Sequence, residues 1–126
     1  MGAELKGMRV FLSGAMTGVR NYNCGMFCDI HAALVMRGVD TNDVFNPALH
    51  WLVGGMPNED HEACMRKCIH ELTRKGEDGS PYYDMLIQLN GWRESAGART
   101  EATVAHACGI EVVEVDDALS MTEGRI

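Results

Sequence analysis

The sequence predicts an open α/β fold: a parallel sheet of four to five strands in the order 2-1-3-4, with helices on both faces. Three observations carry that expectation. Short apolar runs alternate with longer stretches of helical periodicity, and Gly or Asn-Pro breakers close most of them. Strands that alternate with helices must pair in parallel through right-handed crossovers. At 126 residues the chain has the size of one domain, with a core over about residues 8–115.

The elements follow in order. Met8-Arg9-Val10-Phe11-Leu12 reads as a buried strand that turns at Ser13-Gly14. From Asn23 to Arg37, the apolar residues Phe27, Ile30, Leu34 and Val35 recur at helical spacing, and Gly38 stops the helix. Val44-Phe45 is a brief second strand before Asn46-Pro47. Glu59 to Lys75 is a second helix, with Met65, Cys68, Ile69 and Leu72 on one face, and a polar loop follows over Gly76–Pro81. The third strand, Tyr83 to Leu89, closes at Asn90-Gly91. Ala98 to Cys108 is an Ala-rich third helix ended by Gly109, and Glu111 to Val115 is the fourth strand. The polar segment 117–126 is expected to be a short C-terminal extension or frayed tail.

Composition narrows the partners. Eleven Lys and Arg stand against 18 Asp and Glu, for a formal charge of -7. Such a surface repels polyphosphate backbones, so no nucleic-acid polymer is expected as a partner. The longest apolar runs are about seven residues, too short for a membrane span, and Met1 to Lys6 lacks the apolar stretch of a signal peptide. Five cysteines is an odd count, read as reduced thiols in a cytoplasmic protein.

Topology places the site before any motif does. In an open parallel sheet, ligands bind outside the carboxyl ends of the strands where the strand order reverses, here between strands 1 and 3. The loops leaving those strands are Ser13-Gly14-Ala15-Met16-Thr17-Gly18 and Asn90-Gly91-Trp92-Arg93-Glu94-Ser95-Ala96-Gly97. Both are rich in Gly and small polar residues. The first lacks the nucleoside-triphosphate loop pattern and a full dinucleotide fingerprint, so no cofactor is expected. In the second, Ser95 and Gly97 sit at the start of the third helix, where N–H groups and the helix dipole favour an anion such as a phosphate. Glu101 falls in the first turn of the helix as read from sequence. There it either stabilises its own helix start or, facing the crevice, attacks an anomeric carbon to form a covalent glycosyl intermediate.

Ser-Gly-Ala-Met-Thr-Gly (13–18), Asn21-Tyr22-Asn23, Phe45-Asn46-Pro47-Ala48 and Gly91-Trp92-x-x-Ser95-x-Gly97-Ala98-Arg99-x-Glu101 occur in that order. Together they resemble a small branch of the nucleoside 2-deoxyribosyltransferase-like superfamily, over about residues 8–115. The resemblance implies a flavodoxin-like fold, a homodimer or higher oligomer, and cleavage or exchange of the N-glycosidic bond of a nucleoside or nucleotide. It assigns the nucleophile to Glu101 and a 5′-phosphate to Ser95 and Gly97. Gly14 to Gly18 would line the sugar and phosphate pocket, and Trp92 would be a wall for the base or for a partner subunit. Two positions depart from the family pattern. Phe11 stands where a tyrosine is expected at the end of the first strand, and Cys68 where the second helix should present an aspartate. The alternative is therefore a non-catalytic nucleotide-binding module on the same fold.

Other features carry less. Cys24 with Cys28 and Cys64 with Cys68 share helical faces near His31, His61 and His70. Structural zinc sites usually take cysteine pairs on a turn, and these thiols read as apolar fillers, so no metal is expected. His106 lies about 140° around the helix from Glu101 by the 3.6-residue period, off its face. The stretch Arg74 to Ser80 is a solvated loop, with a lid over the pocket as its other reading.

Overall fold

The computed structural model describes residues 5–16, 23–49 and 61–123. Strands β1 (Val10–Ser13), β2 (Val44–Phe45), β3 (Met85–Gln88) and β4 (Glu111–Glu114) alternate with helices α1 (Cys24–Met36), α2 (His61–Leu72) and α3 (Ala96–Ala107). A last helix, α4 (Val115–Glu123), follows β4 directly. All strand pairs are parallel, and the order is β2-β1-β3-β4. This is the open flavodoxin-like or Rossmann-like sheet that the alternation of elements predicts.

Strand alternation sorts the core into two layers. Val10, Leu12, Met85 and Ile87 point to one face, where Phe27 and Leu34 of α1 and Ala118 of α4 cover them. Phe11 and Leu86 point to the other, against Cys68 and Leu72 of α2 and Ala105 of α3. Both faces of β1 and β3 are fully buried. That explains why these strands read as continuous apolar runs rather than alternating ones.

Of the segment 117–126, expected to be a short extension or frayed tail, the described residues 117–123 are helical. Ala118 is wholly buried, Leu119 and Met121 pack on the same cluster, and the Leu119 carbonyl accepts from Arg37 Nε at 3.3 Å. Val115, Ala118 and Leu119 are three and four residues apart, so one narrow stripe suffices to dock a helix whose other positions are polar.

The stretch from Arg74 to Ser80 is no lid. It precedes β3 and so lies at the amino ends of the strands, away from the crevice. Gly76 N–H donates to the Ser80 carbonyl at 2.7 Å, and Tyr82 N–H to the Arg74 carbonyl at 2.9 Å. The guanidinium groups of Arg9 and Arg74 lie over the Tyr82 ring, 4.3 and 3.9 Å from its centre. Tyr83 donates its hydroxyl to Glu71, which also receives Arg74 at 2.8 Å.

The carboxyl ends of β1 and β3 are drawn together. Leu89 N–H donates to the Ser13 carbonyl at 2.8 Å, extending the ladder one residue beyond β3. A Cβ added at Gly14 would sit 3.0 Å from Leu89 Cβ, an atom held close to its own backbone. Gly14→Ala is therefore expected to cost about 1–3 kcal/mol. Thermal melting should show a midpoint several degrees lower, and an unchanged midpoint would mean that the two loops separate freely.

Candidate functional site

The site begins with the register of the sheet. Ser13 is the Cα partner of Gln88, and Gln88 of Glu114, so three polar residues form a row across the carboxyl ends of β1, β3 and β4. Two residues back, Phe11 and Leu86 face α2 and α3, so the period of two sends Ser13 and Gln88 to that same face. There the Ser13 hydroxyl donates to Glu101 Oε1 at 2.6 Å. Residues 88 apart in sequence meet because β1 and β3 are neighbours and α3 lies over them.

Glu101 is 7% exposed. Burial pushes its carboxyl from the ordinary 4.5 up to about 7, while hydrogen bonds from the Ser13 hydroxyl and the Cys68 thiol pull in the other direction. Cys68, on α2, is itself buried, and burial together with the nearby Glu101 carboxylate pushes its thiol well above the ordinary range. That makes it a donor that stays protonated. Glu101 is thus a carboxyl poised to change charge near neutrality, oriented by two neutral donors.

Helix α3 starts earlier than its apolar pattern suggests. Ser95 is its N-cap and accepts from Ala98 N–H at 3.1 Å, so the helix begins at Ala96 and Glu101 lies in the second turn. This overturns the reading of Glu101 as a first-turn acid that supports its own helix. Gly97, Ala98, Glu101 and Ala105 are the buried residues of the helix and face the sheet. Ser95 and Gly97 do stand at the helix start, with the Ser95 hydroxyl already engaged in capping.

The loop after β3 turns at Gly91, whose φ of 89° is the left-handed region that favours glycine. Asn90 and Gly91 are exposed there. Trp92 is half-buried, with its indole N–H 3.4 Å from Glu114 Oε2 and the Arg93 guanidinium 4.7 Å from its ring centre. Arg93 also pairs with Glu114 at 2.9 Å, and Arg99 donates to the Arg93 carbonyl at 2.6 Å. The loop is therefore pinned to β4 and α3, on the far side of β3 from Ser13.

In the first loop, the Ala15 carbonyl accepts from Asn23 Nδ2 at 3.0 Å, which ties the loop to the start of α1. Met16 is half-buried and packs on the apolar clusters of both faces, so it lies across the strand ends. Thr17, Gly18 and Asn21-Tyr22 lie outside the described residues. Asn46 is buried and serves the fold: its carbonyl oxygen caps Ala48 and Leu49 N–H groups at 3.0 and 3.3 Å. Its amide meets His31 Nδ1 at 3.2 Å.

Of the residues singled out from sequence, the structure gathers Ser13, Gly14, Met16, Glu101 and Cys68 near the β1 end. Phe11 is not at the strand end. It sits within β1 against Phe45 and Tyr83, and Ser13 holds the strand-end position with a hydroxyl that reaches Glu101. Gln88 was missed altogether, although a glutamine closing the run Met-Leu-Ile is a polar residue on a buried strand and was visible as such. Among the described residues, no group of three or more His, Cys, Asp or Glu side chains is placed to hold a metal ion, and no helix is long and apolar enough to cross a membrane.

No curated protein and no solved structure matches the chain. A family model does match, over residues 8–114, a span that takes in all four strands, both strand-end loops and the helix bearing Glu101. By that match the chain belongs to the family described as Domain of unknown function (DUF4406).

Proposed function

We propose that the protein cleaves or exchanges the N-glycosidic bond of a nucleoside or nucleotide, with Glu101 as nucleophile, as its resemblance to the nucleoside 2-deoxyribosyltransferase-like proteins implies. The observation that carries this reading is the buried Glu101 carboxyl beside the switch point, held by Ser13 at 2.6 Å. A single carboxylate in that position suits attack on C1′. Its oxygen forms an ester to the sugar while the C1′–N bond breaks, and the departing base takes up a proton. Water, or a second base, then opens the ester. Ser13 fills the orienting role that Phe11 leaves vacant. Gly14 to Gly18, Asn90 to Trp92, Ser95 and Gly97 would position sugar, base and phosphate, in a homodimer or larger assembly that needs no cofactor.

The test is release of free base from a panel of nucleosides, 2′-deoxynucleosides and their 5′-monophosphates, followed by chromatography with Glu101→Gln alongside. Release that disappears in the variant is the expected result. The attacking form is the carboxylate, which exists above its pKa, so kcat/KM should rise with pH through about 7. Release that persists in the variant, or a profile flat across that range, would remove Glu101 from the role. Absence of release from a folded protein that nucleotides still stabilise against heat would leave the binding module.

A further inference from the structure

Gln88 is 6% exposed, and among the described residues its carboxamide has no hydrogen-bond partner. A buried amide without partners is costly, and native structures rarely keep one unless something else meets it. Its neighbours make it a part of the site. It is the Cα partner of Ser13 in the parallel ladder, it shares Ser13's face of the sheet, and α3 packs over it with the small residues Gly97 and Ala98 turned inward. Neighbouring strands lie about 4.8 Å apart, so the amide stands roughly one strand spacing from the hydroxyl that holds Glu101.

We infer that Gln88 is a specificity-determining residue whose carboxamide reads a ring hydroxyl of the sugar, on C2′ or C3′, near the carbon that Glu101 attacks. This rests on the glycosidic reading of the same site. A carboxamide is neutral and offers both a donor and an acceptor, which matches a hydroxyl group. It lies between Ser13 and Glu114 in a row that holds no positive side chain, so it is poorly suited to a phosphate. On a furanose, the hydroxyl within one strand spacing of a nucleophile at C1′ is that on C2′, with the one on C3′ next. Hydrogen bonds to the hydroxyl beside the anomeric carbon strengthen as the oxocarbenium-like transition state forms. A site built to pair a hydroxyl also rejects the analogue that lacks it, because the buried amide is then left unpaired.

The experiment compares ribonucleosides with their 2′-deoxy and 3′-deoxy counterparts, in base release and in thermal shift, for the wild-type protein and Gln88→Met. Methionine keeps the length and apolar stem of glutamine while removing both polar atoms. The wild-type protein should favour the ribonucleoside over one of the two deoxy forms by about tenfold or more in kcat/KM, and the variant should bring that ratio close to one. Which deoxy form is disfavoured tells which hydroxyl is read. The ligand-free variant should melt no lower than wild type, since it loses no partner among the described residues.

Three results would overturn the inference. A clearly lower melting point in ligand-free Gln88→Met would make the glutamine a structural group. Equal handling of all three sugars by the wild type would leave it nothing to read, and a preference unchanged in the variant would assign the reading elsewhere. If the wild type neither cleaves nor is stabilised by any nucleoside, the glycosidic reading itself falls and takes this inference with it, a result distinct from the other three.

Discussion

Glu101→Gln is expected to make the protein more heat-stable at pH 8 while lowering any base release by about 10³-fold or more. The stability half follows from the carboxyl's environment. Burial raises its pKa from 4.5 to about 7. Between those values the folded chain holds a proton that the unfolded chain has released, so the folded state binds more protons and stability falls as pH rises. Above about 7 the whole cost stands, at about 3 kcal/mol for a shift of that size. Glutamine has nearly the same shape and no charge, so it escapes that cost at every pH, and Ser13 can turn its hydroxyl to serve either amide atom. For a chain of this length the gain corresponds to a melting point higher by about 10 °C at pH 8. The advantage should shrink towards pH 4.5, where both side chains are neutral. Melts of the two proteins from pH 4.5 to 8.5 measure it. A variant less stable than wild type at pH 8 would show that the donors from Ser13 and Cys68 outweigh the burial they accompany.

A buried charge that destabilises its own fold has a bearing on function. A methionine or leucine at 101 would fill the same space between sheet and helix without the desolvation cost. The carboxyl instead stands where the strand order reverses, with a hydroxyl aimed at one of its oxygens. Sites that carry chemistry are where such local costs collect.

The architecture was legible because short apolar runs alternate with stretches of 3.6-residue periodicity. The runs marked four strands and the period three helices, and parallel crossovers then ordered the sheet. Helix ends and the last helix were harder for a shared reason. Ser95 begins α3 by capping, which adds nothing to the apolar pattern, so the helix read from that pattern starts two residues late. In α4, the buried stripe is Val115, Ala118 and Leu119 among acidic and hydroxyl residues, too thin to stand out from a polar tail. The resemblance puts Cys68 where the second helix should present an aspartate, without pairing it with Glu101, and its contact with Glu101 emerges only in the fold. Ser13 was read as part of a ligand loop. Counting two residues on from the buried Phe11 would have turned it towards α3 and Glu101. Glu101 and Ser13 are 88 positions apart, and no local pattern reports a contact over that distance.

Phe11→Ala is expected to be the most destabilising single change in the core beneath the site. Phe11 is wholly buried on β1, one of the two interior strands, where the register sets it beside Phe45 of β2 and Leu86 of β3. Its ring stacks on Phe45 at 4.9 Å between centres and meets Tyr83 edge-on at 5.6 Å. The same cluster holds Cys68, whose thiol donates to Glu101. Truncation to alanine removes the ring and leaves a cavity bounded by strands that cannot collapse without breaking the ladder, at a cost of about 3–5 kcal/mol. Against a total stability of about 5–15 kcal/mol, that is a large fraction. Urea unfolding should show the midpoint fall with little change in slope, because the surface exposed on unfolding is nearly the same. Phe11→Leu, which retains most of the apolar volume, should cost less than half as much. Near-equal losses for the two variants would mean that the aromatic contacts to Phe45 and Tyr83, rather than filled volume, hold the β1–β2 side of the sheet against α2. Losses below 1 kcal/mol for both would mean that the cluster relaxes around the gap, and that Cys68 and Glu101 are positioned by α2 and α3 without help from the strand beneath them.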